Sequence, residues 1–306
     1  MELKVSDVGE KELVKYILSK SPTVTADDTA ITNLDSNLNL ISTTDMLIQS
    51  KHFPDKMSYF QMGFKAVTVN VSDLAAMGAK PLGFLLSIAI PKDLKVKDFK
   101  EIIRGVKVAC EFYEIPLIGG DTNEASEIII NGTALGLNTD SLMKNTYKKN
   151  DLIAITGNIG LAALGFYSDN SKYQENILKP IARIKEGRVL KEHEATSATD
   201  ITDGLASELY EMFNGMGMLI YEDKLNISPE FKQTASNLGL DYLDLILYFG
   251  EDFELLFTIP KNKVKNLKNK IDFTVIGEVT DSSQISMKLS NGEIKKIEKK
   301  GYNHFR

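Results

Sequence analysis

The sequence predicts a mixed α/β protein with about two domains. Short apolar segments typical of strands alternate with segments whose apolar residues recur at helical spacing. The chain has 306 residues, roughly twice the size of a typical domain. Its residues are 43% hydrophobic and 25% charged, which is ordinary for a globular protein and sufficient for a core in each half. This composition excludes disorder, a collagen-like repeat or a coiled coil as descriptions of the whole chain.

The first half of the chain alternates between the two periodicities and contains Gly and Pro at the expected stops. The helix that contains Asp73 ends at Gly78 and Pro81. In chain order the pattern predicts a helix over 7–20, a strand over 38–43, a helix around 64–75, a strand over 83–91, a helix over 99–113, a turn at Gly119–Gly120 and a strand over 127–137.

A polar segment over 139–151 separates this half from the next apolar strand. It predicts a boundary between an N-terminal domain, residues 1–138, and a C-terminal domain, residues 139–306. The second half is predicted to contain a strand over 152–156, a glycine-punctuated segment over 157–165, a helix over 181–193, a strand over 197–202, a helix over 205–213 and strands over 253–260 and 273–279.

Charge and motif content exclude several classes of function. The net charge of −6 and dispersed lysines argue against nucleic-acid binding. No apolar run approaches the ~20 residues that span a bilayer, so no membrane association is expected. A single cysteine, Cys110, and no visible secretory signal favour the cytoplasm. The Walker phosphate loop, the dinucleotide-binding glycine motif, the hydrolase nucleophile elbow and the protein-kinase motifs are absent from the sequence.

Acidic residues at unusual places are the main chemical signal. Asp73 interrupts a predicted apolar helix. Other acids lie where predicted strands begin or end. Taken singly, such residues are usually caps, turns or solvated positions. Together they are Asp27, Asp28, Asp45, Asp73, Asp121, Asp200, Asp203, Glu251, Asp252 and Glu254.

If strand ends converge at one edge of a sheet, these carboxylates meet and repel one another unless a cation lies between them. Mg²⁺ and Mn²⁺ prefer such oxygen ligands and bind through a few carboxylates together with substrate phosphates. Neighbouring glycines let backbone N–H groups approach phosphate oxygens. The residues therefore predict an enzyme that uses Mg²⁺ and a nucleotide, with its acceptor left open.

Several motifs occur in order along almost the whole chain: ADDTAI, STTDMLIQSKHF, GFKAVTVNVSDLAAMGAKPLGFLLSIAIP, GGDTN, TDITDGLASEL, GEDFELLFTIP and GYNHF. In this set the sequence resembles the thiamine-monophosphate kinase family, which belongs to the aminoimidazole ribonucleotide synthetase-like superfamily. The resemblance implies ATP-dependent phosphorylation of thiamine monophosphate to thiamine diphosphate, the last step of thiamine diphosphate biosynthesis. It also implies a two-domain α/β fold, with an N-terminal sheet that forms a barrel across a homodimer and a C-terminal α/β sandwich.

The resemblance also implies roles for individual residues. The magnesium ligands it suggests are Asp27, Asp28, Thr43, Thr44, Asp45, Asp73, Asp121, Asp200 and Asp203. For three of these ligands, Asp73, Asp121 and Asp203, the resemblance also implies a catalytic role. Nucleotide contacts fall on Gly120, Asp121, Lys144 and Thr202, and substrate contacts on His52, Glu251, Tyr302 and Phe305. Lys144 stands where the family usually has arginine, so it keeps the charge but loses the bidentate geometry.

Two alternatives stay open at this point. One is another ATP-dependent member of the superfamily, such as aminoimidazole ribonucleotide synthetase, although SKHF and GEDFEL favour the thiamine substrate. Selenophosphate synthesis and hydrogenase maturation would need a terminal cysteine that the chain lacks. The other is a non-catalytic regulator that binds a nucleotide or a metal, against which the complete set of acids argues.

Overall fold

The computed structural model describes residues 4–20 and 27–302, and they form two mixed sheets with flanking helices. The elements of the first part are α1 (Val5–Val8), α2 (Glu10–Lys20), β1 (Ala30–Asp35), β2 (Leu38–Ile48), α3 (Gln49–His52), α4 (Tyr59–Ala76), β3 (Lys80–Ile90), α5 (Val96–Phe112), β4 (Leu117–Glu124) and β5 (Ile129–Asn138). The strands form a five-stranded sheet in the order β1-β2-β5-β3-β4, antiparallel except for the parallel β3–β4 pair.

The second part contains a seven-stranded sheet in the order β12-β11-β8-β10-β6-β9-β7. Its elements are β6 (Leu152–Thr156), α6 (Leu161–Tyr167), α7 (Ser171–Leu178), α8 (Ile184–Glu192), β7 (Ser197–Asp200), α9 (Leu205–Met212), β8 (Gly217–Tyr221), a 3-10 turn (Glu222–Lys224), α10 (Pro229–Asn237), α11 (Tyr242–Tyr248), β9 (Leu255–Ile259), α12 (Val264–Lys268), β10 (Phe273–Thr280), β11 (Ile285–Lys288) and β12 (Ile294–Lys296). The two-domain α/β fold class predicted from the sequence is confirmed.

Helix α4 is the central element of the site, because it lies between the first sheet and the second part of the chain. It begins at a capping box in which Ser58 and Gln61 exchange hydrogen bonds. Most of its residues are buried, and it packs against α5, β2, β5, α8 and β7. A helix buried on all sides is expected to be apolar throughout, so its polar residues need partners.

Several expected boundaries were wrong, and two of them matter for the site. The predicted strand over 38–43 continues to Ile48, so Asp45 lies inside β2 and not after it. The expected turn at Gly119–Gly120 is part of β4, which places Asp121 in the middle of that strand. Both strands extend because neighbouring strands supply backbone partners: Asp45 pairs with Gly132 and Asp121 with Ser87.

Smaller differences concern helix and strand ends. The opening helix expected over 7–20 is interrupted at Gly9, whose φ of 78° ends α1 before α2 begins. The expected strand over 197–202 ends at Asp200, so Thr202 and Asp203 lie in the loop that follows it. In the same way β9 starts at Leu255, which leaves Glu251, Asp252 and Glu254 in the preceding loop. None of the helices among residues 4–20 and 27–302 is both long and apolar enough to cross a membrane.

Candidate active site

Three aspartates from distant parts of the chain meet beside α4. Asp28 precedes β1, Asp73 lies on the last turns of α4, and Asp200 ends β7. One carboxylate oxygen from each lies within 4.8 Å of the others. The cluster therefore combines side chains from both parts of the fold, and we call Asp28, Asp73 and Asp200 the acidic cluster.

Burial and mutual repulsion destabilise the charged forms of these carboxyl groups. Burial raises the pKa of Asp28 to about 7 and that of Asp200 to about 6. Burial, and then the charges of Asp45, Asp200 and Asp28, raise the pKa of Asp73 well above its ordinary value. Asp45 in β2 adjoins the cluster, and burial together with the charge of Asp28 raises its pKa to about 6. A nearby cation would stabilise the ionised forms of these carboxyl groups.

Lys144 supplies positive charge to one side of the cluster. Its Nζ lies 2.6 Å from Oδ1 of Asp28, and only 16% of its side chain is exposed. Burial alone would lower the pKa of Lys144, but the carboxylates of Asp28 and Glu208 raise it above its ordinary value. A single ammonium group does not balance the acidic cluster together with Asp45, so the region keeps a net negative charge.

The donor set fits a hard divalent cation. Within residues 4–20 and 27–302, Oδ2 of Asp28 and Oδ2 of Asp200 are buried without a hydrogen-bond partner. Buried acceptors of this kind are costly unless a cation or another donor satisfies them. The other described contacts orient the cluster: the Thr43 hydroxyl donates to Oδ2 of Asp73, and the Thr199 hydroxyl lies 3.4 Å from Oδ1 of Asp28. Oxygen-only ligands favour Mg²⁺ over Zn²⁺.

The remaining proposed metal ligands are placed at different distances from the cluster. Asp27 adjoins it and accepts a hydrogen bond from the backbone N–H of Lys144 at 3.3 Å, and burial raises its pKa. Thr43 and Asp45 point to the core side of β2, whereas the Thr44 side chain points to the opposite face. The Thr44 hydroxyl donates to the carbonyl of Gly132 at 2.8 Å.

Asp203 and Thr202 lie in the loop after β7. The backbone N–H of Asp203 donates to Oε1 of Glu208 at 3.2 Å, and its carbonyl accepts from the N–H of Tyr302 at 3.4 Å. The carbonyl of Thr202 accepts from the N–H of Glu251 at 2.8 Å. These contacts fix the loop between the acidic cluster and the segment over 250–254.

Asp121 and Gly120 are not brought to the acidic cluster of their own chain. They lie on β4, an edge strand whose residues are all exposed. The register places β4 three strands from β2, which is about 14 Å across the sheet. Asp121 also shares a face with Ser87, whereas Asp45 points to the other side. Position 120 requires glycine, because the Cβ of any other residue would lie 1.8 Å from the carbonyl oxygen of Leu86.

A second group of proposed contacts gathers near Lys65, about two turns of α4 before Asp73. The N–H of Ile48 donates to Nδ1 of His52 at 2.8 Å, which orients the imidazole at the end of α3. Glu251 forms an ion pair with Lys65, and Lys65 also donates to the carbonyl of His52 at 2.9 Å. Burial and the charges of Asp203 and Glu251 raise the pKa of Tyr302, so this tyrosine lies near both acids. Phe305 lies outside the described residues.

Two site residues were not found from the sequence. Lys65 is 1% exposed within α4, and Glu208 is 4% exposed within α9. Both could have been suspected from the sequence, because each is a charged residue within an apolar helical face. The same pattern singled out Asp73. For Lys65 and Glu208 the partners lie far away in sequence, so local periodicity did not reveal that they are satisfied inside the protein.

Comparison with known proteins identifies the family. Residues 26–138 match the model of the AIR synthase related protein N-terminal domain, and residues 148–290 match that of its C-terminal domain. Thiamine-monophosphate kinase from Pyrococcus abyssi is 38% identical over 286 residues, which cover 91% of this chain and 89% of the relative. The enzyme from Methanocaldococcus jannaschii is 36% identical, with 92% and 94% covered. The chain belongs to the thiamine-monophosphate kinase family. The resemblance stated from the sequence motifs is thereby confirmed.

Solved structures agree with this relationship. AaThiL complexed with AMPPCP and TMP superposes with a TM-score of 0.90 at 29% identity, with 99% of each chain covered. Thiamine monophosphate kinase from Aquifex aeolicus superposes with a TM-score of 0.82 at 27% identity, with 92% of this chain and 97% of that chain covered. Hydrogenase maturation protein HypE in complex with ATP, at 18% identity and a TM-score of 0.71, shares the fold.

Proposed function

We propose that this protein is a kinase that transfers the γ-phosphoryl group of ATP to thiamine monophosphate and forms thiamine diphosphate. The observation that carries the proposal is the acidic cluster, with two buried oxygens that lack described partners, in a chain that matches thiamine-monophosphate kinases over nearly its full length. The likeness to AaThiL with AMPPCP and TMP supports the same pair of ligands, a nucleotide and a phosphorylated acceptor.

The acceptor chemistry explains why the proposed reaction needs no strong general base. A phosphate monoester has a second pKa of about 6, so its oxygen is already anionic at neutral pH and needs no deprotonation. The difficulty is the repulsion between two anions. Mg²⁺, when bound, would supply positive charge that offsets this repulsion. Asp28, Asp73 and Asp200 would hold it, with Asp27, Thr43, Asp45 and Asp203 as additional ligands in the proposal.

The protein's own groups position the two substrates. We assign Lys144 and Thr202 to the nucleotide phosphates, because both lie beside the acidic cluster. His52, Glu251 and Tyr302 are assigned to the thiamine monophosphate, and they gather near Lys65, about two turns of α4 before Asp73. The acceptor phosphate then lies between the two groups, and positioning of this kind supplies much of the rate in phosphoryl transfer.

A homodimer is part of this proposal. The sheet face that carries Met46, Leu85 and Leu135 has no covering helix among the described residues, and the edge strand β4 exposes Leu117 and Ile118. Pairing of two such faces would bury these residues and form a barrel. It would also place Gly120 and Asp121 against a second copy, where we propose that they contribute to the nucleotide site, since their own cluster lies beyond reach.

The function is tested by ADP release in a coupled assay with ATP and Mg²⁺. We expect turnover with thiamine monophosphate and none with aminoimidazole precursors or without an acceptor. ADP release with an aminoimidazole precursor alone would favour the synthetase alternative, and no release with any acceptor would favour a binding protein. Size-exclusion chromatography with light scattering tests the dimer, for which a mass of two chains is expected. We also propose a cytoplasmic location, which the single cysteine, Cys110, favours.

A further inference from the structure

Lys65 is a charged residue placed almost entirely inside the protein. It lies on α4 between Phe64 and Ala66, and only 1% of its side chain is exposed. Its Nζ donates to the backbone carbonyl of His52 at 2.9 Å and forms an ion pair with the Glu251 carboxylate. An ammonium group in such a place is retained only with strong partners, and both of its described partners are proposed substrate contacts.

Glu251 is held from two sides. Its backbone has a φ of 61°, and its N–H donates to the carbonyl of Thr202 at 2.8 Å. The preceding Gly250 has a φ of 85°, and a Cβ there would lie 2.1 Å from the same carbonyl oxygen. This backbone arrangement is strained for most residues and sets the direction of the Glu251 side chain. Lys65 then sets the position of the carboxylate at the end of that side chain.

The two partners of Lys65 come from different parts of the fold. His52 ends α3 beside the first sheet, and Glu251 lies in the loop before β9 in the second sheet. A buried ion pair is a weak source of stability, because apolar residues of similar size often stabilise a protein as well or better. An ion pair with an added hydrogen bond does orient its partners. Here the Lys65 ammonium group contacts both His52 and Glu251 and so sets the separation between them.

We propose that Lys65 is a positioning residue for the thiamine monophosphate site, which aligns His52 and Glu251 across the two domains. This inference rests on the proposed function. Because Lys65 is buried, it acts through these two residues and does not touch the substrate. Its loss is therefore expected to weaken acceptor binding and to leave nucleotide binding at the acidic cluster unchanged.

The test compares steady-state constants of the full chain and its variants with ATP, Mg²⁺ and thiamine monophosphate. Lys65→Met keeps the length of the side chain and removes the charge. We expect its KM for thiamine monophosphate to rise about tenfold or more, with a KM for ATP within about twofold of wild type. The double variant Lys65→Met/Glu251→Gln should show a KM no higher than the larger single effect, since both changes remove one shared interaction.

Lys232→Met is the control for the loss of a lysine charge that faces a glutamate, because Lys232 on α10 is 43% exposed and lies 3.8 Å from the buried Glu222. It should leave both KM values unchanged. If Lys65→Met does not fold, Lys65→Gln retains an N–H donor for the His52 carbonyl and should show a smaller rise in the same KM. Circular dichroism and the midpoint of thermal unfolding establish folding.

The outcomes separate this inference from the function on which it rests. A wild-type protein without thiamine monophosphate-dependent ADP release overturns both. An active wild type with an unchanged acceptor KM in the folded Lys65 variant overturns the positioning role alone. Equal increases in the KM for ATP and for thiamine monophosphate would also overturn it, because they indicate a general disturbance of the fold.

Discussion

The acidic cluster and the loop over 251–254 contain similar numbers of carboxylates, but these differ in their hydrogen-bond and ion-pair partners. In the loop every acid has a partner within the chain. Glu251 pairs with Lys65, and Glu254 pairs with Arg183 and accepts from the Thr156 hydroxyl at 2.6 Å. Asp252 accepts from the N–H groups of Gly160 and Ala162 and so caps α6. In the acidic cluster, two buried carboxylate oxygens have no described partner.

This difference separates acids that organise the structure from acids that are ready for a ligand. A buried carboxylate with a full set of donors is satisfied, and it has little left to offer a cation. A buried carboxylate with a vacant acceptor and acidic neighbours is costly until a cation arrives. In the GEDFE segment Glu254 pairs with Arg183, and Glu251, which pairs with Lys65, keeps the proposed role of a substrate contact.

The largest effect is expected from Asp73→Asn, which removes one charge from the acidic cluster with little change in shape. We expect turnover to fall by about two orders of magnitude or more, because the proposed metal site loses one of the charges that would hold the cation. The measurement is kcat by coupled ADP release at saturating Mg²⁺.

Asp93→Asn, at an exposed turn before α5, is the control and should retain wild-type turnover. The Asp73 variant should fold normally, since the Thr43 hydroxyl can donate to the amide oxygen as it does to the carboxylate. Near-normal turnover in the Asp73 variant would refute the view that this cluster is the metal site.

A smaller effect, on stability and not on chemistry, is expected from Glu254→Gln. The change removes the nearer carboxylate partner of the Arg183 guanidinium and leaves that of Glu186 at 3.7 Å. Arg183 is about one-third exposed, so solvent recovers part of the loss. We expect the free energy of unfolding to fall by about 2 kcal/mol. Denaturant unfolding measures it, and the KM for thiamine monophosphate should stay at the wild-type value.

Asp169→Asn provides the comparison, because Asp169 pairs with Lys56 at the surface and should show no measurable change. A Glu254 variant of normal stability but with a tenfold higher acceptor KM would contradict the division between the two regions, since it would make Glu254 the substrate contact.

Much of the fold and part of the site could be predicted from local pattern. Helical periodicity located α4, α5 and α9, and the acids Asp28, Asp73 and Asp200 were expected to meet. The three acids were expected to meet because strand ends converge at one edge of a sheet. That reason does not apply to Asp73, which lies on a helix. The cluster forms because α4 packs between β2 and β7.

The parts that were missed depend on partners distant in sequence. Strand β4 continues through Gly119–Gly120 because β3 pairs with it, and no local pattern shows this. The short strands β8, β11 and β12 are likewise defined by pairing with one another and with β10. Lys65 and Glu208 could have been suspected as charges in apolar helices, but only the tertiary structure shows which acid or N–H they meet.

The third prediction concerns the pH dependence of stability and its response to Mg²⁺, and it needs no substrate. Burial also raises the pKa of Asp252, in the loop over 251–254, to about 7, so the response to Mg²⁺ is what distinguishes the two regions. Burial raises the pKa of Asp28 to about 7 and of Asp200 to about 6, above the value of 3.8 that an exposed aspartate has. A group with a raised pKa in the folded state favours folding while it is protonated, and that contribution is lost as the pH rises through the raised pKa. The metal-free protein should therefore lose stability between about pH 4 and pH 7.

Added Mg²⁺ should restore this stability where the carboxylates are ionised, because a ligand that binds only the folded state stabilises it. The measurement is the midpoint of thermal unfolding from pH 5 to pH 8, with chelator or with Mg²⁺. We expect the gain from Mg²⁺ to increase with pH to a few degrees, and Asp200→Asn to unfold at a higher temperature than wild type in chelator at pH 8. A gain that is the same at both ends of this range would mean that the cation binds elsewhere. A gain that survives in Asp200→Asn would show that the remaining carboxylates, Asp28 and Asp73 with Asp45, bind it without help from the second sheet.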